Sequence, residues 1–331
     1  SDASHIGILR SIETITPEIG DVDTINTLEG DDIVLGGQAG DLITASTTAV
    51  HDSDIVLGDN GQVTYEEDGS ILQVTTTDAA IGGVDTIYTY SGVDIVIGGT
   101  AGDTIDSGTA NGGDTHRDII LGDSGTANFD HEGRIDEIFS IDTDIGGDDT
   151  ITTGGGDNIV IGGTASDTID TAADDDIVIG DSGHATFNSD LDLEAGTLDD
   201  ANKIGALRTI ETISPDIGDV DTINTYNGVD IVIGGTAGDL IDSGTVESGD
   251  THRDIILGDN GKTVFDSEGR IDEIFSIATD IGGNDTITTG GGDNIVIGGT
   301  ARDTIDAGPH NDIVIGDSGH ATFNSDLDTL S

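Results

Sequence analysis

Single aliphatic residues recur every nine positions along this chain, each set in a short polar or apolar triplet and separated by glycine-rich segments. Ile25, Val34 and Ile43 set the step; it returns at Ile87, Val96 and Ile105 and at Ile223, Val232 and Ile241. A nine-residue step of turn plus short strand matches neither the helical period nor a simple hairpin, and suits a solenoid. Side chains alternate along a strand, so only the centre of each triplet turns inward. The predicted inward set runs from Ile25, Val34, Ile43 and Val56 through Ile87, Val96, Ile105 and Ile120 to Val314.

Two steps make one coil, so successive strands belong to alternate faces. On the first face the outward pairs are Thr24/Asn26, Thr86/Tyr88, Thr150/Thr152 and Thr286/Thr288. On the second they are Ile33/Leu35, Ile95/Ile97, Ile159/Ile161 and Ile313/Ile315. One face is a threonine ladder and the other a broad aliphatic sheet. An apolar face that wide should not stay in water. Either intervening hairpins fold over it, through Phe129, Ile135, Ile138 and Phe139, or part of it is an interface between chains; both can hold together.

A longer repeat sits above the short one. The landmark Gly-Asp-Asn/Ser-Gly at Gly58, Gly122, Gly180, Gly258 and Gly316 marks five units: 1–69, 70–133, 134–203, 204–269 and 270–331. Units two and four, and units three and five, are near-copies at an offset of 136 residues (Gly258 minus Gly122, Gly316 minus Gly180). Between units the nine-residue step stops. Residues 127–140 predict a hairpin turning at Glu132-Gly133, repeated around Glu268-Gly269 and varied around Asp68-Gly69. Residues 188–203 are expected to be a linker or excursion. The segment 323–328 repeats 187–192, and 6–15 resembles 204–213, so neither end resembles the polar cap a soluble solenoid needs. The expected partners are therefore further repeats of a longer chain, or other copies meeting this one end to end.

Charge changes the picture. The 331 residues hold 67 acidic against 9 basic side chains, a formal net charge of -58. That balance excludes partners that need basic patches, nucleic acid and anionic membrane among them. No apolar run approaches the roughly 18 residues of a membrane span. With 3% aromatics the chain resembles a disordered one. Its aliphatic residues, however, are held at fixed phase. The acids are phased too: an aspartate precedes nearly every triplet, at Asp23, Asp32 and Asp41, then Asp85, Asp94 and Asp103. Stacked coils place carboxylate over carboxylate, which repel unless a cation lies between them. Folding conditional on cations follows. There is no cysteine, so any metal must be held by oxygen or histidine.

Gly98-Gly-Thr-Ala-Gly-Asp-Thr-Ile-Asp106 resembles the calcium-binding nonapeptide of RTX (haemolysin-type) proteins, as do 36–44, 162–170, 234–242 and 298–306. The resemblance extends over roughly two-thirds of the chain. It implies an all-β fold, a parallel β-roll or β-helix solenoid whose Gly/Asp turns bind several Ca²⁺ ions through the aspartate and backbone carbonyls. The motif's aspartate maps onto Asp23, Asp32, Asp41, Asp54, Asp85, Asp94, Asp103 and Asp118. It maps likewise onto Asp149, Asp167, Asp176, Asp221, Asp230, Asp239, Asp254, Asp285, Asp303 and Asp312. Asn158 and Asn294 replace it in two turns, with Asp157 and Asp293 just before them as further candidate ligands. In the fifth turn of each unit the acid has moved to Asp59, Asp123, Asp181, Asp259 or Asp317. Those five are either ligands of a different geometry or turn-forming residues. The motif's third glycine is usually alanine, as at Ala101 and Ala165, which implies a tighter turn or a weaker site.

The recurring histidines His116, His252, His184 and His320 belong to duplicated turns and are expected at the surface. No catalytic or phosphate-binding motif occurs, so no enzyme is expected. The leading expectation is an extracellular, bacterial, calcium-stabilised rod in a filament, surface layer or adhesin stalk. The others are the secretion or folding domain of an RTX toxin or exoenzyme, and an ice-binding solenoid. The threonine ladder of the last is interrupted by Leu42, Leu240, Tyr88, Asn26 and Asp106.

Overall fold

Three-residue strands with one β-branched or leucine centre can bury only that centre, so each coil must find a second layer to be stable. The computed structural model describes residues 8–46, 52–108, 114–131, 133–188, 206–244, 250–267 and 269–324. Among these the chain is all-β: thirty strands in three ten-stranded sheets. No helix is long and apolar enough to cross a membrane.

Two of the sheets are parallel and form the roll. The threonine sheet runs from Thr24–Asn26 and Leu42–Thr44 to Thr304–Asp306, pairing residue for residue (Thr104↔Thr150, Ile105↔Ile151, Asp106↔Thr152). The aliphatic sheet runs from Ile33–Leu35 to Ile313–Ile315 in the same register (Ile119↔Ile159, Ile120↔Val160). The centres of both sheets meet in one buried cluster that includes Ile43, Val56, Ile87, Val96, Ile105 and Ile120. At the terminal coils, with a neighbour on one side only, Ile25 and Ile305 are half-buried and Val314 is 47% exposed.

The third sheet is antiparallel and is made by the hairpins. It joins Gly61–Tyr65 to Ile71–Thr76, Gly125–Phe129 to Ile135–Ser140, and Gly261–Phe265 to Ile271–Ser276. It also pairs neighbouring hairpins (Ala127↔Val74, Ile138↔Ala185), so ten strands close over the aliphatic sheet. Val63, Val74, Ala127, Phe129, Ile135 and Ile138 pack with Ile55, Leu57, Ile97 and Leu121 in a second core. The aliphatic face is therefore covered from within the chain. Phe139 is the exception to the expected set. It follows inward Ile138 and so points outward, edge-on to His184 at 5.5 Å.

The expected linker 188–203 lies, apart from Asn188, outside the described residues. Its flanks are paired strands: Gly183–Asn188 runs antiparallel to Ala206–Thr212. The tail beyond Asn324, the residues before Ile8 and the hairpin positions Glu132 and Glu268 also lie outside the described residues.

Candidate metal centres

The turns between sheets place their aspartates in two ladders, one on each edge of the roll. The first ladder enters the threonine sheet and contains Asp23, Asp41, Asp85, Asp103, Asp149, Asp167, Asp221, Asp239, Asp285 and Asp303. The backbone N–H of each donates to Oδ1 of the next at 2.6–3.1 Å. One oxygen of each carboxylate is thereby spent holding consecutive coils together. The other, Oδ2, is buried without a partner at every position from Asp41 to Asp303. Backbone carbonyls converge on the same places. A methyl group on Gly298 would stand 2.5 Å from Asp303 Oδ2 and 2.7 Å from the Gly316 carbonyl oxygen. Gly58, Gly98, Gly122 and Gly258 are crowded by the same two kinds of atom. Only glycine fits there, because a carboxylate oxygen and a carbonyl oxygen of the next coil occupy the space a side chain would need.

The second ladder enters the aliphatic sheet: Asp32, Asp54, Asp94, Asp118, Asn158, Asp176, Asp230, Asp254, Asn294 and Asp312. Its N–H to Oδ1 links span 2.8–3.1 Å. Here the second oxygen is often satisfied. Asp118 accepts from Ser107 at 2.6 Å, Asp176 from Thr171 at 2.6 Å, Asp230 from Thr225 at 2.6 Å and Asp254 from Ser243 at 2.8 Å. Asn158 and Asn294 keep the ladder link through Oδ1, and their amides donate to Gly156 O (2.9 Å) and to Thr289 Oγ1 (2.8 Å). Unpartnered Oδ2 atoms remain at Asp32, Asp54 and Asp94.

The moved acids do a third thing. Asp59 Oδ1 accepts from Gly83 N at 2.9 Å and its Oδ2 from Thr100 N; Asp123 receives Gly147 N and Thr164 N, and Asp259 receives Gly283 N and Thr300 N. Asp181 receives Thr236 N. Each donor lies 24 to 55 residues away, so these acids clamp one coil to the next instead of shaping their own turn. Asp317, in the last coil, is exposed. Asp157 and Asp293 stand outside both ladders at the surface, where Asp157 pairs with Arg117 at 3.0 Å and Asp293 faces Arg253 at 3.9 Å.

Without a counter-cation the ladders are electrostatically strained. Burial pushes the Asp103 carboxyl up to about 10, with the Asp149 charge adding to it. Burial and then the Asp149 and Asp221 charges push Asp167 up to about 11. Towards the ends the effect of burial fades: Asp85 is raised to about 8 and Asp285 to about 7, while Asp41 and Asp303 are raised less. Clamping lowers Asp59 and Asp123, yet burial still raises them to about 7 and about 8.

Among the described residues no three His, Asp or Glu side chains group into a side-chain metal cage. What the first ladder offers is a mixed set: one unpartnered carboxylate oxygen per turn, with backbone carbonyls around it. Calcium takes six to eight hard oxygens in flexible geometry, carbonyls included, so these residues fit it. The sequence alone did not distinguish the two ladders. The available signal was the hydroxyl five residues upstream of the acid (Thr171 before Asp176, Thr225 before Asp230), in place of the paired glycines that open the nonapeptide.

The family model for the RTX calcium-binding nonapeptide repeat (4 copies) matches residues 20–46, 81–113, 146–169, 152–187, 282–303 and 288–323. Together these cover under half of the chain, less than the resemblance in the sequence suggested, and leave unit 204–269 unmatched, although its turns join the same ladders. No curated protein matches this chain.

Proposed function

The chain carries RTX calcium-binding nonapeptide repeats, and from that premise we propose that it is an extracellular structural rod, stiffened by several calcium ions and serving in a filament, surface layer or adhesin stalk. The observation that carries this reading is the row of buried, unpartnered Oδ2 atoms from Asp41 to Asp303. Calcium supplies charge neutralisation between the coils. The chain supplies the scaffold: Oδ1 fixes each carboxylate, glycines admit the carbonyls, and two cores hold the coils in register.

Self-association end to end is supported by an internal junction. Asp167 and residues 176–188 receive the following unit through Asp167 N to Asp221, Asp176 N to Asp230 and the strand pairs Ile177↔Ile231 and Ala185↔Ile210. Residues 312–324 repeat the sequence of 176–188, and 8–46 closely resembles 206–244, so a second copy has a ready-made docking pattern. Electron microscopy and sedimentation of the purified chain in calcium test the rod. Rods that lengthen with concentration support it, and dispersed particles at every concentration leave only the stalk reading.

A second reading, the secretion or folding domain of a larger toxin or exoenzyme, is favoured by the same strain. A chain that cannot fold while its carboxylates repel folds only where calcium is plentiful. RTX repeat proteins are typically secreted bacterial proteins. An enzyme domain encoded in the same gene would select this reading over the rod.

A further inference from the structure

The insertions that stretch Asp103–Asp118 and Asp239–Asp254 to fifteen residues each deliver a carboxylate that no nonapeptide requires. Asp114 and Asp250 hold equivalent places 136 residues apart, each followed by Thr-His-Arg-Asp. Each folds back on its own histidine. Asp114 Oδ1 accepts from the His116 backbone N–H at 3.2 Å and lies 2.8 Å from its Nδ1; Asp250 Oδ1 accepts from the His252 backbone N–H at 3.0 Å and lies 3.0 Å from its Nδ1. The second oxygen, Oδ2, has no hydrogen-bond partner in either copy. It is nonetheless well inside: Asp114 is 5% and Asp250 4% exposed.

Beside Asp250 the space is shaped by main chain. A methyl group on Gly244 would stand 2.7 Å from Asp250 Oδ2 and 2.7 Å from the Tyr226 carbonyl oxygen, so two acceptors converge there, and among the described residues none donates to Oδ2. Asp230 and Asp254 lie near enough to feel the Asp250 charge, and Asp94 and Asp118 feel that of Asp114. Asp94 Oδ2 is itself unpartnered. The adjacent arginines reach outward instead, Arg117 to Asp157 and Arg253 to Asp293. Buried acceptors that converge without a donor are costly unless a cation joins them.

We propose that Asp114 and Asp250 each complete an accessory hard-cation site, taking calcium, formed by the buried Oδ2 of an inserted carboxylate, joined at Asp250 by the Tyr226 carbonyl, and lying outside the nonapeptide turns. It rests on the calcium reading of the turns only for the choice of ion. The histidine fixes Oδ1 and leaves Oδ2 as a single ligand. Several carboxylates around one position favour a divalent over a monovalent ion.

Counting bound calcium by equilibrium dialysis and elemental analysis of the full chain tests it. Asp114→Asn and Asp250→Asn are each expected to lose one ion, and the double variant two, with the circular dichroism spectrum in saturating calcium unchanged. With terbium in place of calcium, tyrosine-sensitised luminescence falls in Asp250→Asn, because Tyr226 borders the site. An unchanged count and luminescence in a folded double variant overturns the proposal, and the carboxylates then serve only their histidines. If the double variant loses its fold, Asp250→Asn alone decides, since it leaves the second unit intact. A wild-type chain that binds no calcium sinks the reading of the turns and this one together, whereas binding that survives both substitutions sinks this one only.

Discussion

The two edges of the roll share one hydrogen-bond scheme and differ in one oxygen. Along both ladders a backbone N–H from each coil donates to Oδ1 of the next, at 2.8 Å for Asp149 to Asp167 and at 2.9 Å for Asn158 to Asp176. On the edge of the threonine sheet, Oδ2 of Asp149 and Asp167 is left without a partner. On the edge of the aliphatic sheet, Thr171 donates to Oδ2 of Asp176. The ladder link needs an acceptor and not a charge, which is why asparagine serves at 158 and 294 on the second edge only. On the first edge every acid from Asp41 to Asp303 keeps a buried oxygen that the scaffold does not use, whereas on the second edge this holds for Asp32, Asp54 and Asp94 only.

The largest effect is expected from removing the cation. Chelation should unfold the chain, as followed by circular dichroism, and a spectrum indifferent to chelator would break the contrast between the ladders. Proton linkage sharpens it. With folded-state values near 8 for Asp85, 10 for Asp103 and 11 for Asp167, against an ordinary value of 3.8, the cation-free folded state binds more protons than the unfolded chain above about pH 4. Cation-free stability must therefore fall as pH rises from about 4 through 8, and acidification should restore structure in chelator. With saturating calcium that slope disappears, because the ion holds the carboxylates deprotonated in the folded state and above about pH 5 they are deprotonated in the unfolded chain too, so stability is level there and is lost only as pH falls towards 4 and below. Urea midpoints should fall between about pH 5 and 8 without calcium and stay level with it.

Substitutions on the two ladders should separate next. Asp103→Asn keeps the link to Asp85 N and removes an unpartnered ligand, so the calcium midpoint for folding should rise by about tenfold, roughly 1.4 kcal/mol. Asp176→Asn makes the second edge resemble its own positions 158 and 294, and should move that midpoint less than about threefold, roughly 0.6 kcal/mol. Equal shifts would show that both edges bind calcium alike. Asp103→Ala should also cost more than Asp106→Ala, although Asp106 is not the free surface residue its outward phase suggests. It is half-buried, and burial raises its carboxyl to about 6 despite the Gly108 N–H that it accepts. A third comparison removes charge from a clamp. Asp123→Asn weakens the hydrogen bonds from Gly147 N and Thr164 N, for about 1–3 kcal/mol, and this loss should persist in saturating calcium, where thermal unfolding measures it.

The coils, their register and both sheet faces were legible because a nine-residue step leaves no freedom: a one-residue slip would turn Ile105 outward and Thr104 inward. The hairpins were legible as hairpins, and their position over the aliphatic face followed from the cost of exposing Ile97 and Leu121. Three features were not legible. Phe139 was assigned inward on composition, whereas alternation from Ile138 sends it out. The clamping role of Asp59 and Asp123 depends on donors 24 and 41 residues away, which no local motif announces. The pairing of Gly183–Asn188 with Ala206–Thr212, on either side of 188–203, was the third, since neither strand carries the nine-residue step.

The smallest effect concerns the alanines that stand in the motif's third glycine position. The sequence suggested a tighter turn or a weaker site there. The backbone instead keeps the conformation glycine would take, with φ of 77° at Ala39, 73° at Ala101, 80° at Ala165, 74° at Ala237 and 81° at Ala301. An L-residue in this region costs roughly 1–2 kcal/mol. Replacement by glycine relieves that strain but adds unfolded-state freedom worth roughly 0.5–1 kcal/mol, so the gain per site should be below about 1 kcal/mol. Ala101 and Ala165 precede first-ladder acids by two residues, so a turn freed of strain should also be better able to reach an ion. Ala101→Gly is therefore expected to lower the calcium midpoint slightly while raising the thermal midpoint by a degree or two at most. A clear loss of stability instead would mean that alanine's restriction of the unfolded chain outweighs the strain of its turn.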